Sequence, residues 1–146
     1  MTRRILHPSD FSSASNAAFK KSIDMAKAGR AELLVAHVIS PIVPVAGEGY
    51  LSPKTYDDIV KSSRAWAQKQ LDRLVAKARK SGVRVKGLLA EGAAHEQIVR
   101  IARTKRADMV VMGTHGRSGL AKLILGSVAG RVVAAASCPV LTVRGK

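Results

Sequence analysis

Residues 108–127 read Asp108-Met-Val-Val-Met112-Gly113-Thr-His-Gly116-Arg-Ser-Gly-Leu-Ala-Lys-Leu-Ile-Leu-Gly126-Ser127. Met109, Val110, Val111 and Met112 form an apolar run short enough for a strand covered on both faces. A glycine-punctuated connection follows, and from Ser127 the residues Val128, Val132 and Ala135 recur at helical spacing. A buried strand that passes through a glycine loop into a helix is the repeating unit of a parallel α/β sheet.

The rest of the chain repeats that unit. Residues 3–7 are β-rich and closed by Pro8, and the serines that follow offer N-caps for a helix over 13–28, ended by Gly29 as a left-handed C′ residue. Residues 32–39 are a nearly continuous apolar strand, and residues 40–53, rich in proline and glycine, form a long loop. An amphipathic helix is expected over 56–81, with Ile59, Ser63, Ala67, Leu71 and Ala78 on its apolar face and Gly82 at its end. A strand over 83–90, a helix over 94–104 and a last strand over 140–143, after Pro139, complete the pattern. Five strands alternating with four helices require right-handed crossovers. The expected fold class is α/β, an open doubly wound five-stranded parallel sheet with helices on both faces, in a single domain over residues 1–146.

Composition narrows the function. The chain has 146 residues, with 25 Lys+Arg against 10 Asp+Glu and a formal charge of +15, so it is too short for a multidomain enzyme. Hydrophobic residues at 47% give enough apolar side chains for a core and exclude a disordered chain. Aromatics make up only 3%, which leaves little for base-stacking platforms. Cys138 is the single cysteine, so no internal disulfide forms, and a reducing, cytoplasmic setting is expected. No window approaches a membrane span. The charge excess falls in residues 51–146, where the basic residues of the long helix alternate with apolar ones as on a solvated face.

In an open α/β sheet, ligands bind beyond the carboxyl ends of the strands, where the strand order reverses. That rule selects the loop holding Pro8, Ser9 and Asp10 and the loop holding Gly113 to Ser127, provided strands one and four are neighbours. Gly113 and Gly116 let backbone amides turn inward, and the helix starting at Gly126 and Ser127 presents free N–H groups to an anion. Arg117 and Lys122 are additional cations or simple surface charges. Ser127 either donates to a phosphate oxygen or caps its own helix, and Asp10 either serves a ligand or bonds loop amides. The spacing Gly-x2-Gly-x9-Gly-Ser has a chance frequency on the order of 1% in such a chain. It is neither a Walker A loop nor the Gly-x-Gly-x-x-Gly of a dinucleotide fold. The four histidines have no metal-ligand spacing, and no metal site of the protein's own is expected. No nucleophile–base arrangement or carboxylate pair stands out, and no catalytic residue is assigned.

The chain resembles the universal stress protein family, and specifically its ATP-binding branch. The resemblance spans nearly the whole length and is carried by Arg4-Ile-Leu-His-Pro-Ser-Asp10-Phe-Ser12, Leu34-Val-Ala-His-Val38, Ala107-Asp-Met-Val-Val-Met-Gly113-Thr-His-Gly116, Gly126-Ser-Val-Ala129 and Ser137-Cys-Pro-Val-Leu-Thr-Val143. It implies an adenine nucleotide alpha hydrolase-like variant of the Rossmann-like fold, with ATP as the ligand. Asp10 matches the aspartate near ribose and phosphates, with Pro8 and Ser9 on the same wall, and Val38 the position whose backbone reads the adenine edge. Met112 and Gly113 match the floor, Gly116 the phosphate loop, and Gly126, Ser127 and Val128 the phosphate-holding amides and hydroxyl. Thr114, His115 and Arg117 complete the set. Any metal would be Mg²⁺ or Mn²⁺ bridging the phosphates.

The resemblance further implies a homodimer through the last strand, Val140 to Val143, and a cytoplasmic stress-response protein whose occupancy governs an unidentified regulatory protein partner. Two departures stand out: Ala93-Ala94 where many relatives carry a proline, and Gly130 inside the last helix. The rival readings are a basic nucleic-acid-associated protein, disfavoured by the scarce aromatics, and a slow ATPase.

Overall fold

The computed structural model describes residues 3–41, 52–115 and 125–145. Five strands, β1 (Arg4–Pro8), β2 (Glu32–Ile39), β3 (Val85–Glu91), β4 (Met109–Gly113) and β5 (Val140–Val143), form one parallel sheet in the order β3-β2-β1-β4-β5. Four α-helices connect them: α1 (Asn16–Gly29), α2 (Pro53–Lys80), α3 (Ala94–Thr104) and α4 (Ser127–Ala135). The expected doubly wound sheet is therefore present, and β1 and β4 are neighbours, with Ile5 opposite Met109.

The period-2 alternation of side chains explains the unbroken apolar runs. Ile5, Leu33, Val35 and Val111 point to the face covered by α1 and α2, where they meet Phe19, Ile23 and Leu71. Leu6, Leu34, Ala36 and Val110 point to the other face and meet Ile98, Ala102, Ala129 and Val132 of α3 and α4. With both faces covered, no strand position near the middle of the sheet tolerates a polar side chain unless it finds a partner. His7, fully buried, meets that condition with one ring nitrogen: its Nδ1–H donates to the Val111 carbonyl at 2.8 Å, joining β1 to β4, while Nε2 has no partner among the described residues.

Several boundaries differ from the sequence reading for identifiable reasons. The long helix begins at Pro53, ahead of Tyr56, because Ser52 caps it by accepting from the Thr55 amide at 3.2 Å, and proline suits the first helical position. Ile59, expected on the apolar face of this helix, is exposed. Residues 13–15 form a 3₁₀ turn before α1. Gly29 completes α1, and the left-handed C-cap falls on Arg30, at φ 51°. The first strand includes Pro8, whose missing N–H is harmless at a strand end.

Candidate nucleotide-binding crevice

Between β1 and β4 the chain order of the sheet reverses. A cleft of about 280 Å³ opens there, at the carboxyl ends of the strands. Pro8, Ser9 and Asp10 form one wall, Met112, Gly113, Thr114 and His115 the floor and far side, Val38 the β2 side, and Gly126, Ser127 and Val128 the end below α4. The structure thus brings together the sequence-selected residues except Gly116 and Arg117, which, like Lys122, lie outside the described residues. Ser15, Ala36, His37, Ala94, Ile98 and Ala129 also line the cleft. His37 and Ala36 could have been found from their place at the end of β2. Ala94 and Ile98 carried no polar signal.

The β1–α1 loop is fixed by a dense set of short-range bonds. The Ser9 amide donates to the Ala36 carbonyl at 2.8 Å, and His37 Nδ1–H donates to the Ser9 carbonyl at 2.7 Å. Asp10 Oδ1 accepts the Ser12 amide at 2.9 Å and also the Ser12 hydroxyl, and Ser12 Oγ in turn accepts the Ser15 amide at 3.3 Å. Asp10 therefore does bond a loop amide, and that bond orients a carboxylate on the cleft wall. Phe11 is left-handed at φ 65°, an uncommon conformation for a bulky residue. Its ring stacks on His37 at a centroid distance of 4.1 Å and meets Trp66 edge-on at 5.7 Å.

The opposite wall is shaped by glycine. The Gly126 amide donates to the Thr114 carbonyl at 2.7 Å, closing the neck of the connection between β4 and α4. Gly126 has φ −57°, so its need for glycine is one of space: a Cβ there would stand 2.9 Å from the Thr114 oxygen. At Gly113 the nearest atom to an added Cβ is the His115 oxygen at 3.4 Å, a tighter than average contact that a small shift relieves.

Gly126 is also the N-cap of α4 and provides no side-chain bond, so Ser127 is the first helical residue and does not cap its own helix. Ser127 lines the cleft. The N–H groups of Ser127, Val128 and Ala129 have no acceptor within the helix, and the positive end of the helix dipole lies beside them. The Thr114 hydroxyl and His115 Nδ1 share a hydrogen bond at 3.0 Å on the same side.

Among the described residues two groups have shifted titrations, His7 beside the crevice and Cys138 at the opposite, amino-terminal end of the sheet before β5. Burial pushes the His7 imidazole down to about 4, against smaller upward contributions from its Val111 bond and from Asp10. Partial burial, and then the Asp108 carboxylate, push the Cys138 thiol up, so it is held in the thiol form. Among the described residues no cluster of His, Cys, Asp or Glu has the makings of a metal site, and Asp10 is the one carboxylate on the cleft wall. A second cavity of about 690 Å³ lies under the start of α2, beside Tyr56, Arg64 and Trp66, and shares Asp10, His37, Val38 and Ala94 with the first.

An open parallel sheet with a glycine-necked loop and a free helix N-terminus at its switch point defines a class of α/β proteins whose crevice suits an anionic ligand. Residues 1–144 match the Universal stress protein family, and the chain belongs to that family. It is 37% identical over 144 residues, 97% of its own length and 82% of the relative's, to universal stress protein MJ0531 of Methanocaldococcus jannaschii. The solved structure of MJ0577, a universal stress protein of the same organism, superposes with a TM-score of 0.85 at 28% identity, covering 100% of this chain and 98% of that one. Three more distant members share the fold at TM-scores of 0.71, 0.66 and 0.70. They are a universal stress protein solved with cAMP, one from Archaeoglobus fulgidus solved with dAMP and one from Arabidopsis thaliana solved with AMP, at 22%, 23% and 21% identity.

Proposed function

We propose that this protein is an ATP-binding universal stress protein, in which occupancy of the crevice by the nucleotide governs association with a regulatory protein partner in the cytoplasm. The observation that carries the reading is the convergence of the α4 N-terminal amides, the Ser127 hydroxyl and the glycine neck on one cleft whose opposite wall carries Asp10. Phosphates suit the first set, because N–H donors and a positive dipole end face them without a buried countercharge. A ribose hydroxyl suits Asp10, and the Val38 backbone, at the end of β2, suits the edge of a purine. The related structures holding cAMP, dAMP and AMP support an adenine nucleotide as the ligand class.

With no ligand cluster among the described residues, a Mg²⁺ or Mn²⁺ ion would enter with the nucleotide, held by phosphate oxygens and water. Among the described residues the one hydroxyl–imidazole contact on the cleft is Thr114 with His115 Nδ1, and the other ring nitrogen has no partner to orient it, so hydrolysis is expected to be slow. β5 is an edge of the sheet with an apolar sequence, and the exposed Val133 and Leu125 lie on the α4 side of the same flank, which supports a homodimer through Val140–Val143. Equilibrium binding of ATP, ADP, AMP and cAMP to the purified chain tests the reading. Saturable binding that tightens with phosphate number supports ATP, whereas preference for AMP or cAMP would reassign the ligand. Phosphate release above that of Ser127→Ala and Asp10→Ala would add a slow ATPase.

A further inference from the structure

The end of the sheet opposite the crevice concentrates the positive charge. All strands are parallel, so their first residues share that end, and the connections entering them carry Arg3, Arg30, Arg84, Lys105 and Arg106, all exposed. These residues are tied into one surface. The Arg84 guanidinium donates to the Arg30 carbonyl at 3.3 Å, Arg4 Nη1 donates to the Lys105 carbonyl at 2.9 Å, and the Glu32 amide donates to the Arg3 carbonyl at 2.8 Å. The last turns of α1, α2 and α3 point the same way and add Lys27, then Lys77, Arg79 and Lys80, then Arg103. The carboxylates there are Glu32, paired with Arg4 and Lys86, and Asp108, which accepts the Arg4 amide.

A cation near each helix C-terminus is expected from the dipole, and one per helix satisfies that preference. The surplus has another feature that fold stability does not explain. Arg30 and Arg106 occupy left-handed backbone, at φ 51° and 54°, in positions following α1 and α3 where glycine is the favoured residue. Side chains are held there against backbone preference.

We infer that this basic end is a docking face for the phosphate backbone of duplex nucleic acid, separate from the nucleotide crevice. Arginine dominates the connections, and its planar guanidinium pairs with phosphate oxygens through two bonds. Among the described residues the exposed large apolar side chains are Ile59 and Trp66 in the first half of α2, Leu125 and Val128 at the start of α4 and a lone Val133 nearer its end, so this end gathers no apolar cluster to insert among lipid tails and no aromatic platform for unpaired bases. Three inter-strand gaps of about 4.8 Å set the Arg84 and Arg106 connections roughly 14 Å apart. Over that length a duplex offers about eight phosphate charges. With no element placed to enter a groove, binding is independent of sequence.

The test is equilibrium binding of the full chain to a 20-base-pair DNA duplex between 50 and 200 mM KCl. About five phosphate contacts give a log–log salt slope near −4.5, a loss of about 500-fold across that range. Arg84→Glu with Arg106→Glu should weaken binding more than tenfold at fixed salt. Lys20→Glu with Lys21→Glu makes the same change in net charge on exposed positions of α1 well removed from this end, and should weaken it less than threefold. Equal losses in both double variants would overturn a localised face. So would binding to phosphatidylserine vesicles but not to DNA.

Folding is controlled independently. Arg30→Gly and Arg106→Gly relieve the left-handed backbone, and each should raise the melting midpoint by roughly 2–4 °C while weakening duplex binding. A lowered midpoint, or unchanged duplex binding, would mean that the arginines serve the fold, against the inference.

Discussion

The Gly126 amide and the Thr114 carbonyl are joined at 2.7 Å, and the same carbonyl lies 2.9 Å from where a side chain at 126 would begin. The bond and the lack of room are two aspects of one close approach, which sets where α4 starts relative to the end of β4. Gly126→Ala must therefore push backbone against backbone. It should destabilise the fold by about 1–3 kcal/mol, the usual range for overpacking. Gly113→Ala, whose nearest neighbour is at 3.4 Å, should cost less than ~1 kcal/mol. Urea unfolding of the two variants compares them directly, and equal losses would contradict the steric account.

His7 makes stability depend on pH. Its folded-state pKa, about 4, lies below the ordinary 6.5, so the unfolded chain binds more protons between those values. Stability is then full above about pH 6.5 and falls as the pH drops towards 4, by about 3 kcal/mol from this group. His7→Gln keeps a donor for the Val111 carbonyl and removes the titration. Unfolding free energies at pH 7 and pH 4.5 should differ by less in the variant than in the parent chain; identical differences would rule out His7 as the source.

Trp66, the single tryptophan, should report on the crevice. Asp10 and His37 line the cleft, Phe11 stacks on His37, and Trp66 meets Phe11 edge-on. A ligand that shifts Asp10 or His37 alters the surroundings of the indole through that chain of rings. Saturating ATP should change the emission of the parent protein, and Phe11→Ala should reduce the change. An emission spectrum unaffected at an occupancy verified by calorimetry would contradict the coupling.

The edge of β5 yields a test of assembly. Pro139 and Val143 offer their carbonyls to Val110 and Thr114 of the β4 side, so by the two-residue alternation Val140 and Thr142 direct their backbone groups to the open edge. Thr142→Pro removes an edge N–H without removing a bond to β4. Sedimentation should show a dimer for the parent chain and a monomer for the variant. An unchanged dimer would place the interface elsewhere.

Much of this was legible in the sequence because it rests on periodicity and on glycine. The unbroken runs around Leu34 and Val110 state that both faces of the sheet are covered, and strand–loop–helix alternation then fixes where a ligand can enter. The Gly-x2-Gly-x9-Gly-Ser spacing singled out Gly126, although the reason it must be glycine, the oxygen of Thr114, is a contact across the loop that no local pattern contains. The same limit applies to caps. Arg30 takes the left-handed position that Gly29 was expected to fill, because the helix runs one residue further than its apolar periodicity indicates. Pro53 reads as the end of a loop in the sequence, whereas Ser52 makes it the start of a helix. The +15 charge was visible as a number, but its gathering at one end needed the strand order, which brings Arg3, Arg30, Arg84 and Arg106 side by side from distant parts of the chain.

The central claim, an adenine nucleotide held by the glycine neck and the N-terminus of α4, is tested most directly by calorimetric titration of ATP into the nucleotide-stripped chain and into Gly126→Ala, at low and at physiological salt. The account predicts saturable binding with one site per chain that survives the added salt and is lost in the folded variant. Binding that fades with salt and is the same in both proteins would contradict it.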